Sequence, residues 1–400
     1  MAETGLIFGG AEEDAGFAAR LAAAGYPRTE PAILQPAEVF IDQSGEDISG
    51  RLLLTADPSG AEFCLRPEYT IPVCRNYLAS PDAGKPANFS YLGPVFKNWW
   101  DSGLVAAEEG DANRGRLYRH RPDAQAELAQ AGVESLGRAD TAAADAEILA
   151  LMLETIEAAG GCELDVTIGD AGLFGRVVEA LDFPAAWARR VRRGHMRGQG
   201  LGAIFAPPAR GAVSDHSGVL AALGNADRAG ARKLVGDLLS IAGISSVGGR
   251  GAGEIADRFL EQAEMQGAGA VSAEKRAAME KFLAISGEPD DCSARLRQLA
   301  RDAGLDIHAA LDLFDERLGF IAARGVDMAR LRFDAAFGRK LDYYTGFVFE
   351  ALQTGDGATR LVAGGGRYDG LLKALGAGAD IPAVGAAVWC ESRAPMGAKP

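Results

Sequence analysis

The chain alternates between two hydrophobic rhythms. Residues 11–24 (AEEDAGFAARLAAA) place apolar side chains at helical spacing behind a run of acids, and Gly25 ends the pattern. Extended runs follow (RLLLTA, EFCLRP, NFSYLGPVF), separated by turn signals at 42–45, 57–60 and 81–84. Residues 122–136 (PDAQAELAQAGVESL) fit a helix or a strand equally well. Residues 139–159 predict a long amphipathic helix capped by Asp140 and ended by Gly160–Gly161, and LDVTIGD predicts a strand. From 171 to 330 the period is helical and strand signals nearly vanish, with helices expected over 216–242, 253–265, 273–286 and 291–304. Strands return in LRFDAAF, LDYYTGFVFEAL, TRLVAG and PAVGAAVW. The pattern predicts an α+β fold: a largely antiparallel sheet built from 1–170 and 331–400, interrupted by a helical insertion over 171–330.

Within the returning strands, 339-RKLDYYTGFVFE-350 alternates as a single strand. Asp342, Tyr344, Gly346, Val348 and Glu350 share one face, and Leu341, Tyr343, Thr345, Phe347 and Phe349 the other. Three more segments carry polar groups at strands or strand ends: 65-LRPEYT-70, 127-ELAQAGVES-135 and 361-LVAGGGRYDGLL-372. Gln130 and Glu134 are four apart, so they face the same way whether the segment is helix or strand. Each segment alone has an ordinary explanation: an edge carboxylate, a glycine turn, a cross-strand aromatic pair. Together, carboxylates, an amide and phenols on one sheet face suit a ligand bearing an ammonium group, such as an amino acid or a polyamine.

Composition narrows the setting. At 48% hydrophobic and 24% charged the chain is globular, and a net charge of −14 disfavours a general nucleic-acid binder. The basic run at Arg189, Arg190, Arg192, Arg193 and Arg197 is the one local exception, readable as a surface patch, a partner contact or an RNA face. Five scattered cysteines make no CxxC or zinc spacing, so free thiols in a reducing cytoplasm are expected, with no metal. The N-terminus carries no signal-peptide pattern, and no apolar run reaches membrane-spanning length.

The four segments, in this order, resemble the catalytic domain of histidyl-tRNA synthetase, a class II aminoacyl-tRNA synthetase fold. LRPExT, GPVF…QAGVE, R-x-LDYYTG-x-VFE and AGGGRYDGL carry the resemblance over most of 20–140 and 331–391. It implies a histidine pocket formed by Glu68, Thr70, Arg119, Gln130, Glu134, Arg339, Tyr343 and Tyr344. It also implies a homodimer through the first motif, GYPRTEPAILQPAEVF.

The departures redirect the functional expectation. The synthetase's third motif supplies an arginine to ATP; here the strand reads 384-VGAAVWCESRA-394, with Trp389 in place of a glycine and Ser392 in place of that arginine. Joining Phe96 to Arg119 restores a family-like FRHRP, which makes 97–118 an insertion and Arg119 or Arg121 the motif arginine, with Lys97 the fallback. Trp99–Trp100 in that insertion reads as a contact patch or a loop anchor. No anticodon-binding domain is expected. This combination resembles the regulatory subunits of ATP phosphoribosyltransferase, the first enzyme of histidine biosynthesis. The resemblance implies a non-catalytic, cofactor-free chain that joins a short catalytic subunit in a hetero-octamer and carries L-histidine feedback, without nucleic acid or membrane. A synthetase and a tRNA-independent histidine ligase stand as alternatives.

Overall fold

The computed structural model describes residues 11–44, 52–96, 127–159, 164–196, 198–206, 246–247, 250–251, 271–338, 343–355 and 358–389. The chain divides into two compact units, Met1–Arg176 with Phe282–Pro400, and Val177–Lys281.

The larger unit is built on an eight-stranded sheet in the order β4-β5-β13-β12-β11-β6-β10-β9. These strands are β4 (Ala87–Phe96), β5 (Glu127–Leu136), β6 (Asp165–Asp170), β9 (Ser286–Gly287), β10 (Leu331–Asp334), β11 (Phe347–Gly355), β12 (Ala358–Arg367) and β13 (Ala383–Trp389). Every pairing is antiparallel except β10 with β6. A smaller antiparallel sheet, β1 (Leu34–Pro36), β3 (Glu62–Leu65) and β2 (Leu53–Ala56), has β3 at its centre.

The ambiguous 122–136 segment settles as strand β5 from Glu127 onward, and all of its residues after Glu127 are buried. Such a strand has both faces covered, so its sequence lacks the apolar–polar alternation of a half-exposed strand. On one side lies helix α4 (Thr141–Ala158), packed against β5, β11, β12 and β13. Behind α4 stand α1 (Ala11–Ala23) and α10 (His308–Ala323), with α9 (Pro289–Ala303) beyond α10. Residues 282–330, expected within the helical insertion, lie in this larger unit, because α10 buries Leu311, Phe314, Leu318 and Ile321 and packs along α4.

Helix ends follow local chemistry. Glu288 caps α9 by accepting from the Asp291 N–H (3.2 Å), Pro289 occupies its first turn, and Gly304 closes it at φ 63°. Asp140 precedes α4 as expected but makes no side-chain cap, because its carboxylate is held by both Nε and Nη2 of Arg138. The expected glycine stop of α4 at 160–161 lies outside the described residues, as do the helices expected over 216–242 and 253–265.

The smaller unit contains the end of α5 (Ala171–Ala180) from Val177 onward, then α6 (Ala185–Met196), α7 (Leu201–Ile204), the pair β7 (Ser246–Val247) and β8 (Arg250–Gly251), and α8 (Ala273–Leu283) as far as Lys281. Phe205 anchors its core, 5.8 Å from Trp187 and 6.1 Å from Phe183. The basic run on α6 is partly internal: Arg190 donates to the Ala206 carbonyl at 2.9 Å and Arg192 pairs with Glu179. Among the described residues no helix is long and apolar enough to cross a membrane.

Candidate functional site

The face of the sheet opposite α4 carries the polar residues picked out from sequence. Register aligns Phe89, Tyr91 and Gly93 of β4 with Glu134, Gly132 and Gln130 of β5, and these with Gly385, Ala387 and Trp389 of β13. Glycines at three of these positions make room for polar tips. A Cβ at Gly93 would collide with the Tyr69 hydroxyl, one at Gly132 with the Tyr91 hydroxyl, and one at Gly385 with the Glu134 carboxylate.

Helix α3 (Thr70–Leu78) supplies the next wall. Glu68 accepts from the backbone N–H groups of Thr70 (2.6 Å) and Ile71 (2.9 Å), so its carboxylate caps the helix and is fixed in direction. The Thr70 hydroxyl donates to Glu134 Oε1 at 2.7 Å, and the Gln130 Oε1 accepts from the Tyr69 N–H at 3.1 Å. Tyr69 stacks on Tyr91, with centroids 4.4 Å apart and planes within 3°. Arg66 buttresses this stack: its guanidinium lies 4.0 Å from the Tyr69 ring and bonds the Pro94 carbonyl at 2.9 Å.

Glu134 is the hub and is 1% exposed. Besides Thr70, the Tyr91 hydroxyl donates to its Oε1 at 3.4 Å and the Tyr368 hydroxyl to its Oε2. Burial pushes its carboxyl up to about 8; the neighbouring Glu68 charge adds to that, and the hydroxyls of Tyr368, Thr70 and Tyr91 oppose it. Burial also pushes the Tyr91 and Tyr368 phenols well up, followed by the Glu134 charge.

The Tyr343–Tyr344 pair closes the site through Tyr368. Tyr343 meets Tyr368 edge-on at 5.8 Å and Tyr344 at 5.0 Å. This corrects the strand expected over 339–350. Within the described part, Tyr343–Gly346 lies outside the sheet and β11 begins at Phe347. Instead of joining a ladder, Thr345 donates its N–H to the Arg367 carbonyl (2.8 Å) and its hydroxyl accepts from the Asp369 N–H (3.0 Å). The two tyrosines therefore do not alternate across a sheet. The expected facing holds further on: Val348 and Glu350 pair with Gly366 and Gly364, which pair with Gly385 and Ala387 on the site's face.

Beneath this wall runs a buried ion network. Arg367 donates to Asp145 and Asp369, and Arg317 to Asp145 and Asp170, each at 2.8 Å. Arg317, Asp145 and Arg367 are all buried. The network ties the start of the wall to α4 and α10.

Six of the eight sequence-derived positions are described, and all six belong to this cluster around Glu134: Glu68, Thr70, Gln130, Glu134, Tyr343 and Tyr344. Arg119 and Arg339 lie outside the described residues, as do Lys97, Arg121, the 97–118 insertion, Ser392 and Arg393. Tyr368, Tyr91 and Tyr69 were missed. Tyr368 stood in the quoted AGGGRYDGL, but only the three-dimensional approach of β12 and β5 brings it to Glu134. Among the described residues, no three His, Cys, Asp or Glu side chains converge as a metal site.

The family model for histidyl-tRNA synthetase matches residues 14–199 and 232–392. A crystal structure from Bacillus halodurans, described as an ATP phosphoribosyltransferase regulatory subunit/histidyl-tRNA synthetase, superposes with a TM-score of 0.62 at 21% identity over 95% of this chain and 76% of that one. Family model and fold thus define a histidyl-tRNA-synthetase-like chain of class II architecture. Curated relatives divide that class further. The ATP phosphoribosyltransferase regulatory subunit of Mesorhizobium japonicum is 40% identical over 373 residues, 90% of this chain and 91% of its own length. That of Brucella canis is 38% identical over 368 residues, with 90% and 91% covered. The chain belongs to the family of ATP phosphoribosyltransferase regulatory subunits. These relatives favour the non-catalytic reading over a histidine-activating enzyme.

Proposed function

We propose that the chain holds L-histidine in the Glu134 pocket and transmits its occupancy to the short catalytic subunit of ATP phosphoribosyltransferase, as feedback on the first step of histidine biosynthesis. The observation that carries this reading is the convergence of Glu68, Thr70, Gln130 and Glu134 with Tyr343 and Tyr344 on one pocket. Two carboxylates and an amide suit an α-ammonium and an imidazole N–H, and the tyrosines offer a face or a hydroxyl to the ring. Arg119 and Arg339 are assigned to the same ligand by resemblance, an arginine being the natural partner of its carboxylate.

Trp389 supports sensing over activation. It sits opposite Gln130 on the pocket's face, at the position where the synthetase pattern has glycine beside the nucleotide. An indole there takes up space that ATP would need.

Assembly follows the same reading: a homodimer through the first motif, joined by catalytic chains into a hetero-octamer in the cytoplasm. Ile33 just before the small sheet, Leu34 and Leu54 on it, and Ile41 on α2 (Glu38–Ser44) are large apolar side chains left exposed in the single chain. Exposed apolar side chains of this kind suit burial against a second copy. Feedback then requires only that histidine prefer one state of the assembly, a coupling of about 1–3 kcal/mol in typical cases. Reconstitution with a short catalytic chain tests the whole reading. Histidine-inhibited activity in the mixture is expected. Histidine-dependent ATP–pyrophosphate exchange by this chain alone would contradict it.

A further inference from the structure

Glu134 sits among acids. From β4 it faces Tyr91; from the turn before α3 and that helix's first turns, Glu68, Thr70 and Cys74; from the end of β12, Tyr368; behind these, from the segment before β11, Tyr344 acts on Tyr91 and Tyr343 on Tyr368. Its own strand adds Gln130, and β13 contributes only Gly385. Among the described residues no Arg, Lys or His side chain pairs with it; its hydrogen-bond partners are the hydroxyls of Thr70, Tyr91 and Tyr368. A negative charge in such a place is costly, because burial strips its water and, among the described residues, no opposite charge pairs with it. A neutral carboxyl avoids that cost and still accepts the hydroxyl hydrogen bonds.

We infer that the pocket exchanges a proton for its ligand: the empty pocket holds Glu134 as the neutral acid, and a ligand nitrogen presenting an N–H to the carboxyl displaces its proton to solvent. Only the carboxyl O–H bond breaks, and the proton goes to bulk buffer. The charge left behind is matched by the ammonium of a zwitterionic amino acid held in the same pocket. A ligand without an N–H at this point leaves either a buried, uncompensated carboxylate or an acid proton with no acceptor in the ligand. The pull of burial on this group, up to about 8, agrees with the geometry. The inference rests on the histidine reading above and adds the protonation step to it.

The test is calorimetry of L-histidine binding at pH 7 in two buffers of different ionisation enthalpy, with infrared difference spectra of the same full-length protein before and after addition. With the carboxyl raised above neutral pH, the greater part of one proton per site is released on binding. The carbonyl band of one protonated carboxyl disappears from the spectrum, and the Glu134→Gln variant, where it binds, shows neither effect. Binding with no proton release and no loss of that band overturns proton exchange while leaving the histidine pocket standing. No histidine binding by the unaltered protein overturns both. Should Glu134→Gln fail to fold or bind, the infrared spectrum of the unaltered protein decides alone.

Discussion

Gly385 faces Glu134 across the β5–β13 ladder, and the carboxylate occupies the volume that a side chain at 385 would need. The pocket's central acid therefore depends on a missing Cβ one strand away. Gly385→Ala drives a methyl into the carboxylate and toward the Val133 carbonyl. Overpacking of this kind costs about 1–3 kcal/mol. A lower unfolding midpoint is expected in denaturant titration, together with at least a tenfold loss of histidine affinity. Unchanged affinity would place the ligand elsewhere.

Glu134 also sets a pH dependence in the empty protein. Its folded carboxyl is raised above the ordinary 4.5 to about 8, so the native state holds a proton that the unfolded chain releases. Its contribution to stability is complete below 4.5 and declines as pH rises through about 8. Glu134→Gln removes the titrating group while keeping the shape. The variant is expected to lose less stability than the unaltered protein between pH 6 and pH 9, as thermal unfolding at several pH values would show.

The ion network under the tyrosine wall is a structural dependency. Asp145 accepts from both Arg317 and Arg367. Asp145→Ala leaves two buried guanidiniums short of a carboxylate, and breaking such a pair costs about 3–5 kcal/mol. Urea unfolding is the direct check. Because Arg367 also holds Asp369 and, through its carbonyl, Thr345, histidine affinity is expected to fall alongside stability.

Leu34 and Ile41 are exposed in the single chain, and the dimer reading buries them. Leu34→Asp with Ile41→Asp is expected to give monomers in sedimentation equilibrium with little change in the chain's far-ultraviolet circular dichroism. A dimer that persists would put the interface on another surface.

Much of the site was legible in the sequence because its residues lie in short, ordered motifs. Gln130 and Glu134 share a face in either secondary structure, so the unresolved helix-or-strand question at 122–136 did not affect their pairing. Alternation failed at Tyr343–Tyr344, where the next residue, Thr345, donates its N–H to the Arg367 carbonyl and accepts from the Asp369 N–H at its hydroxyl, outside the sheet. Asp140 had the right type and position for a cap, but Arg138 competes for its carboxylate. Tyr91 and Tyr368 reach Glu134 through strand register and chain reversal, and no local pattern encodes either. Helices α9 and α10 looked like part of the insertion because helical periodicity reports an apolar face and not the element that covers it.

Histidine bound beside Glu134 is proposed to act on the catalytic subunit from this pocket. The most direct test is the histidine inhibition curve of ATP phosphoribosyltransferase reconstituted from the catalytic chain with either the unaltered protein or its Glu134→Ala variant. The account predicts that both complexes assemble and turn over, and that the variant complex needs at least ten times more histidine for half-inhibition. Superimposable inhibition curves from the two assembled complexes would contradict it.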